Sequence, residues 1–472
     1  MGKRAGPRAA WGDYQTPPAL AERVCARLQR LCQPATLVEP TCGVGNLLAA
    51  GAEAFPRARC LGFELSTAHV AAARARLGPR ATIERVDVFR ADWGRRARAW
   101  GDPVLVLGNP PWVTSADQTA IGGANLPLKT NLKRLAGYDA VSGKGNFDVS
   151  EWIVLELLAR LQGRDATLAM LIKSSVARRV LEYAWTGGLA LRATGLWRID
   201  ARREFGAAVD ACLLVCATAD RGPPACPVYD GLEDRRPRTR IGLRGGGLVA
   251  DVAAWTRARA LVGVAAPAWR SGIKHDCARV MELRADGDAL VNGLGERVTL
   301  DPATIFPLCK SSDLARGDVS RAHRWVIVPQ RRVGEDTARL EREAPRTWAY
   351  LSRHRDRLDA RRSVVYRGKP PFSIFGVGDY AFCPWKVAIS GLYQPARFTL
   401  LGPVNGRPVM LDDTCYLLGF DREDEARAAL ELLRSPAAAD VLDAHVFWDM
   451  KRPITKEILG RLELARLAGV AS

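Results

Sequence analysis

A chain of 472 residues has room for two or three domains, and its 48% hydrophobic and 25% charged residues suit a folded protein rather than a disordered one. No apolar run approaches a membrane span, no apolar leader follows the start MGKRAGPRAAWGDYQTPP, and the eleven cysteines form no CxxC pair, so a cytoplasmic, prokaryotic protein with buried free thiols is expected. The net charge of +18 excludes an acidic solvating chain and suits a polyanionic partner, although an Arg-rich genome gives the same balance.

The first half alternates between two periods. ATLVEP (35–40) reads as a strand and NLLAAGAEAF (46–55) as a helix. ARCLGFEL (58–65) and TAHVAAARARL (67–77) repeat the pair. Strands ATIERVDV (81–88) and PVLVLGN (103–109) follow, then a polar loop and the helix DVSEWIVLELLARLQ (148–162). TLAMLIKSS (167–175) is a strand leading into a helix over 176–186, and GLWRIDAR (195–202) and DACLLVCAT (210–218) are two more apolar runs. Strands alternating with helices predict a mostly parallel, doubly wound sheet, which binds ligands at the carboxyl ends of its strands. Between 220 and 247 the Pro- and Gly-rich segments break this rhythm, and DVAAWTRARALVG can bridge to a separate domain. Beyond 265 come short strands, turns and a few helices, without repeats. The expected division is 1–245 and 246–472.

Three strand ends carry polar chemistry. LVEPTCGVGNLL places Glu39 before Gly43 and Gly45, which let the chain turn tightly and approach a ligand. The second strand ends in Glu64, suited to the two hydroxyls of a ribose. The third ends in Asp87 and Val88, where an acid can accept from an adenine amino group. A dinucleotide fingerprint needs a third glycine, and Leu48 stands in its place, so a ligand with ribose and adenine but no diphosphate fits better. S-adenosylmethionine is such a ligand, with S-adenosylhomocysteine as product and no metal required.

The fourth strand runs into Asn109, Pro110, Pro111 and Trp112. Two prolines fix two φ angles and remove two N–H donors, and push Asn109 toward an extended conformation. The result is a stiff shelf presenting an amide, two carbonyls and an aromatic ring that looks exposed. Such a shelf suits a flat ring bearing an amine.

With these residues the sequence resembles the gamma-class, TaqI-type DNA adenine-N6 methyltransferases of restriction–modification systems. GDYQTPPALAERV (12–24), with Tyr14 and Thr16, looks like the N-terminal cofactor motif; SGKGNFDVSEWIVLELL (142–158) resembles the segment after the catalytic shelf; RREFGAAVDACLLV (202–215) resembles the one whose aromatic residue, here Phe205, stacks on the target base. Trp112 departs from the more usual Tyr or Phe. The resemblance covers 12–216 and is thinner from 265 on. It implies a class I, Rossmann-like catalytic domain binding S-adenosylmethionine and a C-terminal α+β target-recognition domain. It also implies Asn109 and the Pro110 carbonyl as acceptors for the target amine, Trp112 and Phe205 on the two faces of a flipped base, and double-stranded DNA as partner.

Residues 321–370 hold 14 Lys/Arg against 6 Asp/Glu among interleaved aromatics, and Arg361, Arg362 and Lys369 are the expected phosphate contacts, though part of the stretch reads as a solvated helix face. Lys173 reads as a strand-end lysine more than a phosphate contact. Protein-glutamine and RNA N-methyltransferases use a similar shelf; a DNA-binding subunit with an inactive fold is disfavoured by intact Glu64, Asp87 and Asn109. No nuclease motif precedes the fold, which leaves room for a separately encoded endonuclease beside an expected monomer.

Overall fold

The computed structural model describes residues 14–113, 148–262, 269–317 and 324–471. Residues 12–13 of the N-terminal motif, the polar loop, residues 142–147 and residues 321–323 of the basic stretch lie outside the described residues. The chain divides into two compact units, Met1–Ala253 and Ala254–Ser472.

The first unit is built on ten strands: β1 (Thr36–Glu39), β2 (Arg59–Glu64), β3 (Ala81–Arg85), β4 (Val104–Gly108), β5 (Ala166–Lys173), β6 (Arg192–Ile199), β7 (Ala211–Ala217), β8 (Ala225–Tyr229), β9 (Thr239–Arg244) and β10 (Gly247–Val249), in the order β10-β9-β8-β6-β7-β5-β4-β1-β2-β3. β3, β2, β1, β4 and β5 are mutually parallel, and β7 runs antiparallel between β5 and β6. β1 and β4 are buried along their whole length, which is why both read as unbroken apolar runs.

Strand order reverses between β1 and β4. From β1 the chain moves outward through β2 and β3, then returns to place β4 on the other side of β1. At such a switch point the loops leaving two adjacent strands diverge and open a crevice. The loop after β1 begins at Pro40 and the one after β4 at Asn109, so the two motifs of interest flank it. Helices pack beside the crevice. Asn46–Ala54 starts from Gly45, whose φ of +80° is a left-handed turn. Thr67–Leu77 is capped by Ser66, and Val149–Arg160 by Asp148. Pro18–Leu28 buries Leu20, Val24 and Leu28 against the same core as Leu37 and Leu48.

One expectation for these strands changes. β3 stops at Arg85, so Asp87 and Val88 belong to the loop beyond it. The Pro-rich region after 220 breaks the alternation but does not leave the sheet: β8 pairs with β6, and β9 and β10 extend the edge antiparallel. Cys226 and Val228 are buried there and supply the apolar face that holds β8 in place.

The second unit is α+β. A four-stranded antiparallel sheet orders Arg270–Ser271, Cys415–Phe420, Trp385–Ser390 and Thr399–Leu401. A six-stranded sheet runs from Arg297–Val298 to Met410–Leu411. The helices Glu423–Leu433 and Pro436–His445 bury Leu430, Leu433, Val441 and Leu442 in the core of the four-stranded sheet. The expected bridging helix is shorter, Val252–Ala258. Among the described residues no helix is long and apolar enough to cross a membrane.

Candidate active site

The crevice holds a cavity of about 410 Å³, within the range of small-molecule sites. Tyr14, Thr16, Glu39, Gly43, Glu64, Val88, Asn109 and Pro111 line it. Gly45, Asp87, Pro110, Trp112 and Phe205 do not.

Glu64 ends β2 with both carboxylate oxygens engaged. Oε2 accepts from the Gly43 N–H at 2.9 Å and Oε1 from the Ser66 N–H at 2.8 Å. Each oxygen has a further lone pair for a ligand hydroxyl. The carboxylate therefore shapes the glycine loop as well as facing the cavity. Gly43 has φ +52°, and a Cβ there would lie 2.3 Å from Gln15 Oε1, so the loop is closed by close approach of the N-terminal segment. Gly45 has a different role: a Cβ would press on Leu77 and Ala73, so this glycine permits helix packing rather than ligand approach.

Four buried polar atoms at the cavity have no protein partner: Glu39 Oε2, Thr41 Oγ1, Asn46 Oδ1 and Asn109 Oδ1. Buried polar atoms are ordinarily paired, and an unpaired one costs about 1–3 kcal/mol. Four around one cavity point to a ligand that supplies the missing partners, and a ligand rich in N–H donors fits. Glu39 is 2% exposed. Burial holds its carboxyl well above the usual carboxylate range, and the charge of Glu64 adds to this while the Leu48 N–H opposes it. A cation placed against Glu39 would reverse the penalty. At the far side the wall is apolar, formed by Val86, Val88 and Phe89, and suits the face of a heterocycle. Asp87 caps its own turn instead: Oδ1 accepts from the Phe89 N–H at 3.0 Å. These residues fit S-adenosylmethionine. Among the described residues no group of three or more metal-ligating side chains occurs.

The shelf after β4 is organised by residues 14–16. Asn109 Nδ2 donates to the Tyr14 carbonyl at 2.8 Å and to Thr16 Oγ1 at 3.2 Å, which leaves Oδ1 as the free end of the amide. Trp112 is not exposed. It is 6% accessible, and its Nε1 donates to the Leu171 carbonyl of β5 at 3.0 Å. Its ring lies 4.9 Å from that of Phe205, edge to face at 68°. A base between two parallel rings needs them about 7 Å apart, twice the van der Waals spacing, so the expected sandwich is closed as the rings stand. Tyr14 completes the cluster, 5.9 Å from Trp112 and 6.3 Å from Phe205.

Lys173 has a structural partner. Its Nζ lies 2.7 Å from Asp148 Oδ2, and Asp148 Oδ1 caps the helix start through Ser150. In the second unit, the expected phosphate contact Arg361 is occupied elsewhere: its guanidinium donates to the carbonyls of Leu358, His275 and Ser373 and stacks 3.8 Å over Tyr366. Burial lowers its pKa. Arg362 and Lys369 are exposed. Gln15, Thr41 and Asn46 were not expected as site residues. For Thr41 and Asn46 the signal was present, since each is a polar residue beside the glycine-rich turn, whereas Gln15 stands among polar neighbours and carried none.

No protein-family model matches the chain. A relative described as Type II methyltransferase M.NspV, from Nostoc sp. (strain ATCC 29411 / PCC 7524), is 41% identical over 468 residues, 98% of this chain and 97% of the relative. A solved structure, the Type IIL restriction-modification enzyme MmeI in complex with DNA, aligns with a TM-score of 0.55 at 12% identity. That alignment covers 96% of this chain and 65% of the other, so the chain spans about two thirds of that enzyme and shares its fold. Identity of this level along nearly the whole length, on a sheet with a ligand crevice at its switch point, places the chain in a known family: it belongs to the type II methyltransferases of restriction–modification systems, enzymes that depend on S-adenosylmethionine.

Proposed function

We propose that the protein methylates the N6 amine of an adenine flipped out of double-stranded DNA, as the modification enzyme of a restriction–modification pair. The observation that carries this reading is the free Oδ1 of Asn109, a buried acceptor at the cavity wall beside the cofactor position. Glu64 would hold the ribose hydroxyls, and Glu39, Thr41 and Asn46 the amino-acid end. Bound S-adenosylmethionine supplies a methyl group on a sulfonium that leaves with the S–CH₃ electron pair.

Adenine N6 is a poor nucleophile because its lone pair is delocalised into the ring. Asn109 Oδ1 and the Pro110 carbonyl, each accepting one N–H, favour a pyramidal nitrogen whose lone pair points at the methyl carbon. This is positioning and electrostatic preorganisation. As the N–C bond forms, one N6 proton becomes acidic and passes to water, since neither acceptor is basic enough to keep it. The amine is out of reach inside a duplex, so the base must leave the stack. It would lie against Trp112, with the Phe205 ring turning face-on and withdrawing from 4.9 Å to about 7 Å to admit it. Arg362 and Lys369 would contact phosphates. The chain would act as a monomer beside a separately encoded endonuclease.

The reading is tested by incubating the protein with methyl-labelled cofactor and duplex DNA, single-stranded RNA or a glutamine-containing peptide, then digesting each and identifying the labelled unit. N6-methyladenosine in the deoxyribo series is the expected product. Label in N4-methyldeoxycytidine, in ribonucleosides or in glutamine would replace it with another substrate class.

A further inference from the structure

We propose that the Tyr14 carbonyl, seconded by the Thr16 hydroxyl, is the positioning device of the shelf: the carbonyl fixes which way the Asn109 amide faces and makes asparagine rather than aspartate the residue required there, and the hydroxyl holds the second amide hydrogen. This rests on Asn109 Oδ1 being the acceptor for the target amine.

A primary amide is nearly symmetric in shape, but its two ends have opposite hydrogen-bonding character. Turned by 180°, Asn109 would offer its NH₂ to the incoming amine, donor against donor, and transfer would stop. The inner contacts forbid that turn. Nδ2 sits 2.8 Å from the Tyr14 oxygen, which can only accept, and 3.2 Å from Thr16 Oγ1. A flipped amide would bring its oxygen against the Tyr14 carbonyl, acceptor against acceptor. An aspartate meets the same conflict, because it has no donor for that carbonyl when ionised. The Thr16 hydroxyl could turn to donate to it; the peptide carbonyl could not.

The segment doing this is itself held firmly. Gln15 Oε1 accepts from the Val44 N–H at 3.0 Å, and the Thr16 carbonyl accepts from Asn46 Nδ2 at 2.9 Å. Pro17 follows, and Pro18 opens the helix Pro18–Leu28. The Tyr14 ring rests near Trp112. Successive residues thus grip the Asn109 turn, the glycine loop and the turn again, so that the cofactor loop and the acceptor amide share one strap. Thr16 lines the cavity and is 5% exposed, but its hydroxyl serves Asn109.

Three variants separate this role from cofactor binding and from simple packing. Thr16→Val keeps the shape and removes the acceptor; Thr16→Ser keeps the hydroxyl; Asn109→Asp keeps the outer acceptor and removes the inner donor. Cofactor affinity is measured by calorimetry, which also reports folding, and single-turnover methyl transfer is measured at saturating cofactor. Thr16→Val should bind cofactor as the wild type does and transfer about tenfold more slowly, the weight of one hydrogen bond. Thr16→Ser should recover most of the rate. Asn109→Asp should transfer no faster than Asn109→Ala. Wild-type transfer by Thr16→Val or Asn109→Asp, or a Thr16→Val defect lying wholly in cofactor affinity, would overturn the proposal. The ranking is read on whichever amine the wild type methylates, so a wild type that methylates cytosine, RNA or a peptide amide ends the adenine reading and leaves the test of Thr16 intact.

Discussion

The two hydrogens of the Asn109 amide are held by Tyr14 and Thr16, and its oxygen faces the cavity without a partner. Its contribution should therefore fall on the chemical step. Asn109→Ala is expected to lower kcat by about ten- to thousandfold, the usual weight of a preorganised polar contact, with cofactor affinity close to wild type. Calorimetry and single-turnover rates together check it, and equal losses in both would move Asn109 into the cofactor site. Glu39 gives a pH signature. Burial raises its pKa in the folded chain, so between the ordinary carboxyl range and that raised value the folded state holds a proton the unfolded state has lost. The cofactor-free protein should lose stability as pH rises through this window, and Glu39→Gln should flatten the loss; melting curves across pH report it, and an unchanged slope would show that Glu39 is not desolvated. At this scale Asn109, Glu64 and Glu39 were legible because a polar residue at the end of an apolar strand is conspicuous. The Thr16 contact was not, because a bond spanning 93 residues leaves no trace in local spacing. Nor was the burial of Trp112, since that depends on β5 offering the Leu171 carbonyl.

Elements were legible where one strand is buried by its neighbours on both sides. β1 and β4 declared themselves as apolar runs, and the helices between them by caps such as Ser66 and Asp148. The second unit was read only as short strands and turns. Ile305–Cys309 pairs with Met410–Leu411 across about a hundred residues, and a two-residue strand carries no period of its own. The basic stretch mixes two kinds of residue that composition treats alike. Arg361→Gln should destabilise the second unit by about 1–3 kcal/mol, because carbonyls it satisfies are left unpaired, and a lowered melting temperature checks this. Replacing Arg362 and Lys369 by Gln should leave stability unchanged and reduce the salt slope of DNA binding by about two, one per phosphate contact. An unaltered slope would show that both face solvent. The strand Trp385–Ser390 carries Lys386, 1% exposed, whose Nζ donates to the Cys383 carbonyl. Burial lowers its pKa from 10.5 to about 8. Above pH 8 the folded state sheds a proton that the unfolded state keeps until about 10.5, so stability should rise with pH over that window. Lys386→Met removes the titrating group but leaves the Cys383 carbonyl without its donor, so the variant should lose the rise of stability with pH over this window; melting temperatures of the pair against pH decide it.

Over the whole molecule, a net charge of +18 fits both a basic genome and a nucleic-acid partner. The class of fold followed from the alternation of strands and helices, and the ligand from what stands at the strand ends. On the proposed reading the target base is set at the Asn109 shelf and its sequence context by side chains of the second unit, which pair across long separations such as Leu308 with Met410. Both are read in one measurement: express the full chain in a bacterial host lacking DNA methylation and sequence the native genomic DNA for modified bases. The account predicts N6-methyladenine at nearly every copy of one short sequence, absent from cells expressing Asn109→Ala. N4-methylcytosine at such a sequence, or unmodified DNA alongside folded, cofactor-binding protein, would contradict it.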